Sequence, residues 1–546
     1  MASMARCVGA AGMLSAALGQ QVGPLGPEGH LRMAIEQCTT AGGCVTEDTQ
    51  IVMDMNWRWL HNIDAYNNCL TDSWDPELCP DPETCAKKCA LEGVAAEKYT
   101  SDYLATAIDK GIKLEFPKAP RVYMLDTEDK YKLFKLKNKE FTFDVDLSTL
   151  PCGMNAALYF VEMPEDGGKN ELNPAGAKYG TGYCDAQCPH MKFIGGKANM
   201  LGWKKHSALT PELEEVMVGP EGKFGYCCAE MDILEANNAA GAYTAHPCKL
   251  EEPKVCQGKE ECGDKDAGYT GVCDKDGCGF SSYRMGDEKF WGPGEDFTVD
   301  TSKPMTIVTQ FITSDNTDAG DLVEIRRLYI QGGKLIKNSK AKALKHGGDS
   351  LTDSLCNDAN KVFNATSNGF DKLGGLKAMG ESLGRGMSMS MSIWDDDMGR
   401  MLWLDGEKGT IAEDMKDPGI QRGPCAFKYG NDTDMQAAAK ETGSIYATFT
   451  NVRYGDLDTT YDAKTPEAQA KFEVMSDNAG ATAAAAGSLR RHAPEAGSKV
   501  PRILAAASGA LATMLVVGAL VVLRRRGRGF APLGAELVPS TDSCLE

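Results

Sequence analysis

The stretch Met387-Ser388-Met389-Ser390-Met391-Ser392-Ile393-Trp394 alternates apolar and polar residues without a break. Such alternation marks a β-strand with two unlike faces, because successive side chains point to opposite sides of a sheet. Met387, Met389, Met391 and Ile393 therefore turn towards a core, and the three serines share the other face with Trp394. A solvated sheet face rarely carries a tryptophan, so this face is expected to line a concave, ligand-receiving surface. The same period recurs elsewhere. Phe141, Phe143, Val145 and Leu147 interleave with Thr142, Asp144, Asp146 and Ser148, which predicts a half-buried strand. Residues 305–313 and 445–452 read as strands, and 328–336, broken by Gly332-Gly333, reads as a hairpin. Helical signals are shorter, the clearest over 82–91. The chain is expected to be all-β, an antiparallel sandwich with long disulfide-tied loops.

Acids are concentrated in Cys227-Cys228-Ala229-Glu230-Met231-Asp232-Ile233-Leu234-Glu235-Ala236-Asn237. In a strand, Glu230 and Asp232 share one face while Met231 and Ile233 enter the core. Strict alternation would bury Glu235 beside them, whereas a bulge or twist after Asp232 would return it to the polar face. Three acids would then crowd one cleft. Retaining glycosidases need two carboxyl groups about 5 to 5.5 Å apart, one ionised to attack and one protonated to donate. Neighbouring negative charge keeps the donor protonated near neutral pH. Taken alone, the spacing Glu-x-Asp-x-x-Glu also suits a solvated helix face.

Other motifs decide between these readings. Together with Asn56-Trp57-Arg58-Trp59, Tyr179-Gly180-Thr181-Gly182-Tyr183-Cys184-Asp185, His246-Pro247-Cys248 and Trp394-Asp395-Asp396, the acidic run resembles glycoside hydrolase family 7, the cellobiohydrolases and endoglucanases. The resemblance runs in matching order from about Cys38 to Gly455. It implies a jelly-roll sandwich of two curved antiparallel sheets holding a long cellulose-binding cleft, and retaining hydrolysis of β-1,4-glucosidic bonds. Glu230 resembles the family's nucleophile, Asp232 the acid that hydrogen-bonds it, Glu235 the acid/base, and His246 a histidine close to the catalytic centre. Trp59 resembles the platform at the cleft entrance, Trp394 the one before the cleavage point and Trp403 the one just after it. Indole faces suit the flat C–H faces of pyranose rings, which they hold without fixing one register. Asn56 belongs to the entrance motif. Tyr159, Asp185, Gln187 and Lys192 resemble polar residues of the glycone side, and Arg284 and Arg422 those of the product side.

The resemblance also implies nine disulfides: Cys38–Cys44, Cys69–Cys89, Cys79–Cys85, Cys152–Cys425, Cys184–Cys228, Cys188–Cys227, Cys248–Cys273, Cys256–Cys262 and Cys278–Cys356. A further bridge found in many family members is missing a cysteine here, where Ala90 stands. The loops divide the reading between exo and endo action. A long 203–227 segment and the 394–422 stretch are tunnel-like. The 262–273 loop has Gly268 near the position of a product-site arginine, and Asp397 and Met398 stand where roof tyrosines are usual. Cellobiohydrolase-like action under a looser roof is expected, with an open-cleft endoglucanase as the alternative. A glycan-binding, lectin-like receptor on the same sandwich would not need Glu230, Asp232 and Glu235.

The ends of the chain add a location. Residues 1–19 read as a secretory signal cleaved after Gly19. The catalytic domain is expected over 20–463, followed by an Ala-, Gly- and Ser-rich stalk over 464–502. Residues 503–523 carry no charge and are long enough to span a bilayer, and Arg524, Arg525, Arg526 and Arg528 follow at once. This predicts a single-pass type I protein with a short cytoplasmic tail, 524–546, and a catalytic domain outside the cell or in a digestive vacuole. Of 20 cysteines, Cys7 lies in the signal and Cys544 in the tail, leaving an even set that reads as disulfides in an exported chain. Zinc would look first to Cys184/Cys188 and Cys85/Cys89, but the chain has only seven histidines, and neither metal nor cofactor is expected. Asn364 and Asn431 head candidate glycosylation triplets. A net charge of -19 argues against a nucleic-acid partner, which would need clustered Lys and Arg. The expected partner is a neutral β-1,4-glucan chain, bound by a monomeric catalytic domain.

Overall fold

The computed structural model describes residues 20–462 except 204–221, 265–270, 346, 364–368, 397–398, 408–418 and 427–431. The alternating segments form two layers. One sheet pairs, in order, Gly43–Met53, Val122–Thr127, Met387–Asp395, Met154–Val161, Glu230–Ala236, Gly241–His246 and Cys278–Ser281. The other pairs Ala105–Ile108, Gly111–Glu115, Tyr446–Asp456, Lys139–Asp146, Met305–Thr313 and Leu322–Gln331. Leu31–Thr39 joins the layers, running antiparallel to Gly43–Met53 and parallel to Tyr446–Asp456.

Between the sheets lies the core that alternation predicted. Met387, Met389 and Met391 are fully buried there with Met231, Ile233 and Phe160 from the same sheet and Phe141, Phe143 and Phe449 from the other. The rings of Phe141 and Phe160 meet edge to face across the layers, 4.9 Å between centres. Each such side chain contributes about 1.5–3 kcal/mol relative to exposure, so this packing is what holds the sheets face to face. The predicted hairpin forms as Leu322–Gln331 and Lys334–Lys337.

Three local expectations need correction. Thr142 is fully buried rather than solvated, and so is Glu140, because residues 458–461 fold back over the outer sheet. Glu140 accepts backbone hydrogen bonds there from Asp458, Thr459 and Thr460, and Thr142 bonds the Thr460 hydroxyl. The helix expected over 82–91 stops at Lys88, capped at its start by Asp81, and Cys89–Leu91 continues as a strand beside Leu60–Asn62. Helices also form at Asp353–Val362 and Gly375–Arg385, which the sequence reading did not anticipate.

All nine disulfides that the resemblance implied are present. Cys85, Cys89, Cys184 and Cys188 are thus bridged rather than available as zinc thiolates, and the domain belongs to an oxidising compartment. Among the described residues no helix is long and apolar enough to cross a membrane. The expected signal, stalk, membrane span and tail, as well as Asn364 and Asn431, lie outside the described residues.

Candidate active site

The site begins with one extra residue. Along Glu230–Ala236, Asp232 pairs with Thr244 and Glu235 with Ala242, so Ile233 and Leu234 together stand opposite Tyr243 alone. On the other side Asp232 pairs with Tyr159 and Leu234 with Leu158, leaving Ile233 without a counterpart. Both bulge residues are buried in the core. The bulge shifts the phase of the strand and returns Glu235 to the face of Glu230 and Asp232, as one of the two readings of the sequence required. Arg327, buried with its guanidinium 4.2 Å from the Tyr243 ring centre, donates a hydrogen bond to the Ile233 carbonyl and so fixes the bulge from behind.

Register then arranges this face in rows. Ser388, Val161, Glu230 and His246 lie side by side, next Ser390, Tyr159, Asp232 and Thr244, then Ser392, Ala157, Glu235 and Ala242. Trp394 follows beside Asn155 and is 38% exposed, on the face predicted to be concave.

Each acid has its own partner. His246 bridges Asp232 Oδ2, 3.0 Å from its Nε2, and the Asp274 carbonyl, 2.8 Å from its Nδ1. Gly277 makes room for the ring, since a Cβ there would lie 2.6 Å from the imidazole, and its φ of +66° also favours glycine. Glu230 accepts from the Ala186 backbone N–H at 3.2 Å. Asp232, expected to hydrogen-bond Glu230, has its Oδ2 bonded to His246. Glu235 accepts from the Asn155 amide at 3.1 Å, and Asn155 in turn accepts from Ala236 N.

Burial, then the charges of Asp232 and Asp185, lifts Glu230 well above the ordinary carboxylate range, with His246 opposing. Burial and Asp232 push Glu235 up to about 8 against His246 and Asn155. Burial alone would lower His246, but the hydrogen bond and charge of Asp232, aided by Glu230, hold it well above its usual value. The cluster thus pairs an imidazolium with acids that cannot all ionise, and a carboxyl proton persists at neutral pH.

Two disulfides position the loop beside Glu230. Cys184–Cys228 and Cys188–Cys227 clamp the 184–188 loop to the residues just before Glu230, which aims Ala186 N–H at the carboxylate. Asp185 is buried in this loop, accepts the Tyr183 hydroxyl at 2.5 Å, and is raised by burial. Tyr183 also meets the Tyr159 hydroxyl at 3.2 Å, so Tyr159 and Asp185 belong to one buried network.

The model for glycosyl hydrolase family 7 matches residues 22–461. The chain belongs to glycosyl hydrolase family 7. A family 7 cellobiohydrolase from Daphnia pulex is 42% identical with a TM-score of 0.74, over 81% of this chain and 100% of that one. The endocellulase EGI of Humicola insolens is 35% identical, TM-score 0.66, over 81% and 100%. A Melanocarpus albomyces cellobiohydrolase complexed with cellotetraose is 35% identical, TM-score 0.71, with the same coverage.

The remaining candidates spread along this family 7 domain. Trp394 and Trp403 lie near one another, ring centres 6.0 Å apart and planes 26° apart, with Trp403 Nε1 donating to Asp396 at 3.1 Å. Arg284 and Arg422 sit close enough that Arg422 helps burial lower Arg284 to about 9, while burial lowers Arg422 to about 10, so both stay charged at neutral pH. Asn56 and half-buried Lys192 meet, with Lys192 Nζ 3.5 Å from the Asn56 carbonyl. Exposed Gln187 ties its amide to the Lys275 carbonyl. Trp59 is 36% exposed, and its Nε1 donates to Asn68.

Sequence reasoning missed three supporting residues: Asn155, Arg327 and Asp405. Asp405 is fully buried and accepts from Gly153 N at 2.7 Å and the Asn237 amide at 2.6 Å. It thereby ties the segment carrying Trp403 to the end of the Glu230–Ala236 strand. Burial pushes it up to about 6, against those two donors. A polar residue on the same face of its strand as Ala157 and Tyr159 was the only local signal for Asn155; Arg327 and Asp405 gave none. Among the described residues, every His, Cys, Asp and Glu group within metal-ligand reach includes disulfide-bonded cysteine.

Proposed function

We propose that this chain hydrolyses the β-1,4-glucosidic bonds of cellulose with retention of anomeric configuration, Glu230 attacking and Glu235 serving as acid and then base. The observation that carries this reading is the bulge that sets Glu230, Asp232 and Glu235 on one face beside His246. Burial lifts both glutamates, so the division of roles follows the family pattern rather than titration. In the first step a Glu230 oxygen bonds C1 of the sugar as the glycosidic C–O bond breaks, and the Glu235 proton passes to the departing oxygen. Water then cleaves the ester, giving its proton to Glu235. His246, kept protonated by Asp232, supplies the positive charge beside the attacking carboxylate, against the negative charge of Asp232 itself. Trp59, Trp394 and Trp403 serve as sugar platforms, with Asn56, Tyr159, Asp185, Gln187, Lys192, Arg284 and Arg422 as polar contacts.

The action proposed is cellobiohydrolase-like. The roof segments that bear on it, 204–221, 265–270 with Gly268, and 397–398, lie outside the described residues. Product analysis on crystalline and soluble cellulose tests it: cellobiose with slow loss of viscosity supports chain-end action, and rapid loss of viscosity shows internal cutting. Release of no sugar from either substrate contradicts the function.

Trp59→Ala is expected to weaken attack on crystalline cellulose by about 0.5–1.5 kcal/mol, using aromatic-pair energies as the guide, and to spare a small chromogenic glycoside. Equal loss on both substrates makes Trp59 a structural residue only.

The ends complete the proposal: a signal over 1–19, a stalk over 464–502 and an anchor over 503–523 would confine released sugar near the cell surface or within a vacuole. A chain ending before Ile503 is expected to be as active on soluble substrate as the full chain, but lost to the medium. Retention of the shortened chain in salt-washed membranes contradicts the anchor.

A further inference from the structure

Beyond Trp59 stands a second aromatic ring. Tyr66 is 74% exposed, and its ring lies 6.2 Å from the Trp59 ring centre with the planes 27° apart. Rings stacked directly face on face would be closer, so Tyr66 is displaced sideways from the indole and reaches beyond its edge. The step between ring centres is comparable to the advance from one pyranose to the next along an extended chain.

His61 holds both rings. It is fully buried and stacks on Trp59 at 4.1 Å between centres, backing one face of the indole. Its Nδ1 lies 2.8 Å from the Asn62 carbonyl and 3.2 Å from that of Ala65, inside the turn that presents Tyr66. Its Nε2 meets Glu92 at 2.8 Å. The turn is closed by Asn62 N to the Asn67 carbonyl at 2.9 Å and by their side-chain amides at 3.3 Å. Trp59 Nε1 donates to Asn68 at 2.6 Å, and Cys69–Cys89 anchors the base. An exposed tyrosine on a loose loop would lose rotamer and backbone freedom on binding; here the backbone is already ordered.

We propose that Tyr66 is an outer stacking subsite, taking one further glucosyl unit of the incoming β-1,4-glucan chain beyond Trp59. The proposal rests on the cellulose-hydrolase reading and deepens it. Its occupant follows from continuity with the Trp59 platform and from the chemistry of a phenol ring, which offers a flat apolar face and a hydroxyl at its rim.

The test uses the Glu230→Gln protein, alone and with Tyr66→Ala or Tyr66→Phe, measuring the partition coefficient on acid-swollen cellulose and the affinity for cellotetraose. Tyr66→Ala is expected to lower the partition coefficient about two- to twelve-fold, to lower cellotetraose affinity less, and Tyr66→Phe to keep the parent's adsorption. Unchanged or tighter adsorption by Tyr66→Ala overturns the proposal, the latter showing that the phenol covers Trp59. A Phe variant as weak as the Ala variant also overturns stacking. A parent that adsorbs to no cellulose contradicts the proposed function itself and takes the subsite with it.

Discussion

Replacing Glu230 by glutamine is expected to lower turnover of cello-oligosaccharides by at least about four orders of magnitude while leaving the fold intact. The amide matches the carboxyl in size and keeps an oxygen to accept from Ala186 N–H, so the strand has no reason to shift. What disappears is the oxygen nucleophile that divides one difficult displacement into two easier ones. A good leaving group should not restore the rate, because the missing group makes a bond rather than donating a proton. Steady-state rates on an aryl cellobioside check this. A loss below tenfold would place the attacking group elsewhere.

The second large effect falls on Glu235. Glu235→Gln is expected to cost about 10²- to 10⁴-fold on cello-oligosaccharides, whose leaving alcohol needs protonation. The cost of bond cleavage should be far smaller for a nitrophenyl leaving group. The pH profile separates the two roles. With Glu235 pushed up to about 8, its acid form persists at neutral pH, so first-step rates on poor leaving groups should fall as pH rises through about 8. With the good leaving group, that alkaline fall should vanish in the glutamine variant. Asn155→Ala removes a donor that favours ionised Glu235 and should move the limb upward. Stability follows the same sign: Glu235 is raised above its unfolded value near 4.3, so its contribution is full below that pH and is lost as pH climbs towards 8. A pH-independent ratio of variant to parent rates contradicts the acid role.

Much of this was written locally. The serine–methionine alternation of Met387–Asp395 predicted two unlike faces, and the registers do place Trp394 on the serine face, but Ser388, Ser390 and Ser392 are themselves buried and only Trp394 is exposed there. The acidic strand needed more than alternation. Spacing alone allowed a helix or a straight strand, and only a bulge brought Glu235 round, as the mismatch at Ile233 and Leu234 does. The disulfide pairing came from family likeness, since geometry cannot be read from cysteine spacing. Non-local support was not legible. Arg327 reaches the Ile233 carbonyl from 94 residues away, and Asp405 meets Asn237 from 168 residues away. Thr142 looked solvated because nothing near it announces the returning 458–461 segment, which also covers Glu140. The Gly375–Arg385 helix was hidden by Gly375, Gly380 and Gly384, whose propensity argues against helix until tertiary packing overrides it.

The proposed double displacement at the anomeric carbon rests on the bulge, the paired acids and the His246–Asp232 contact. Proton NMR of the first product released from a soluble cello-oligosaccharide, recorded before mutarotation, tests that claim most directly. The β-anomer is expected; an α-anomer as the first product would contradict the two-step mechanism through Glu230.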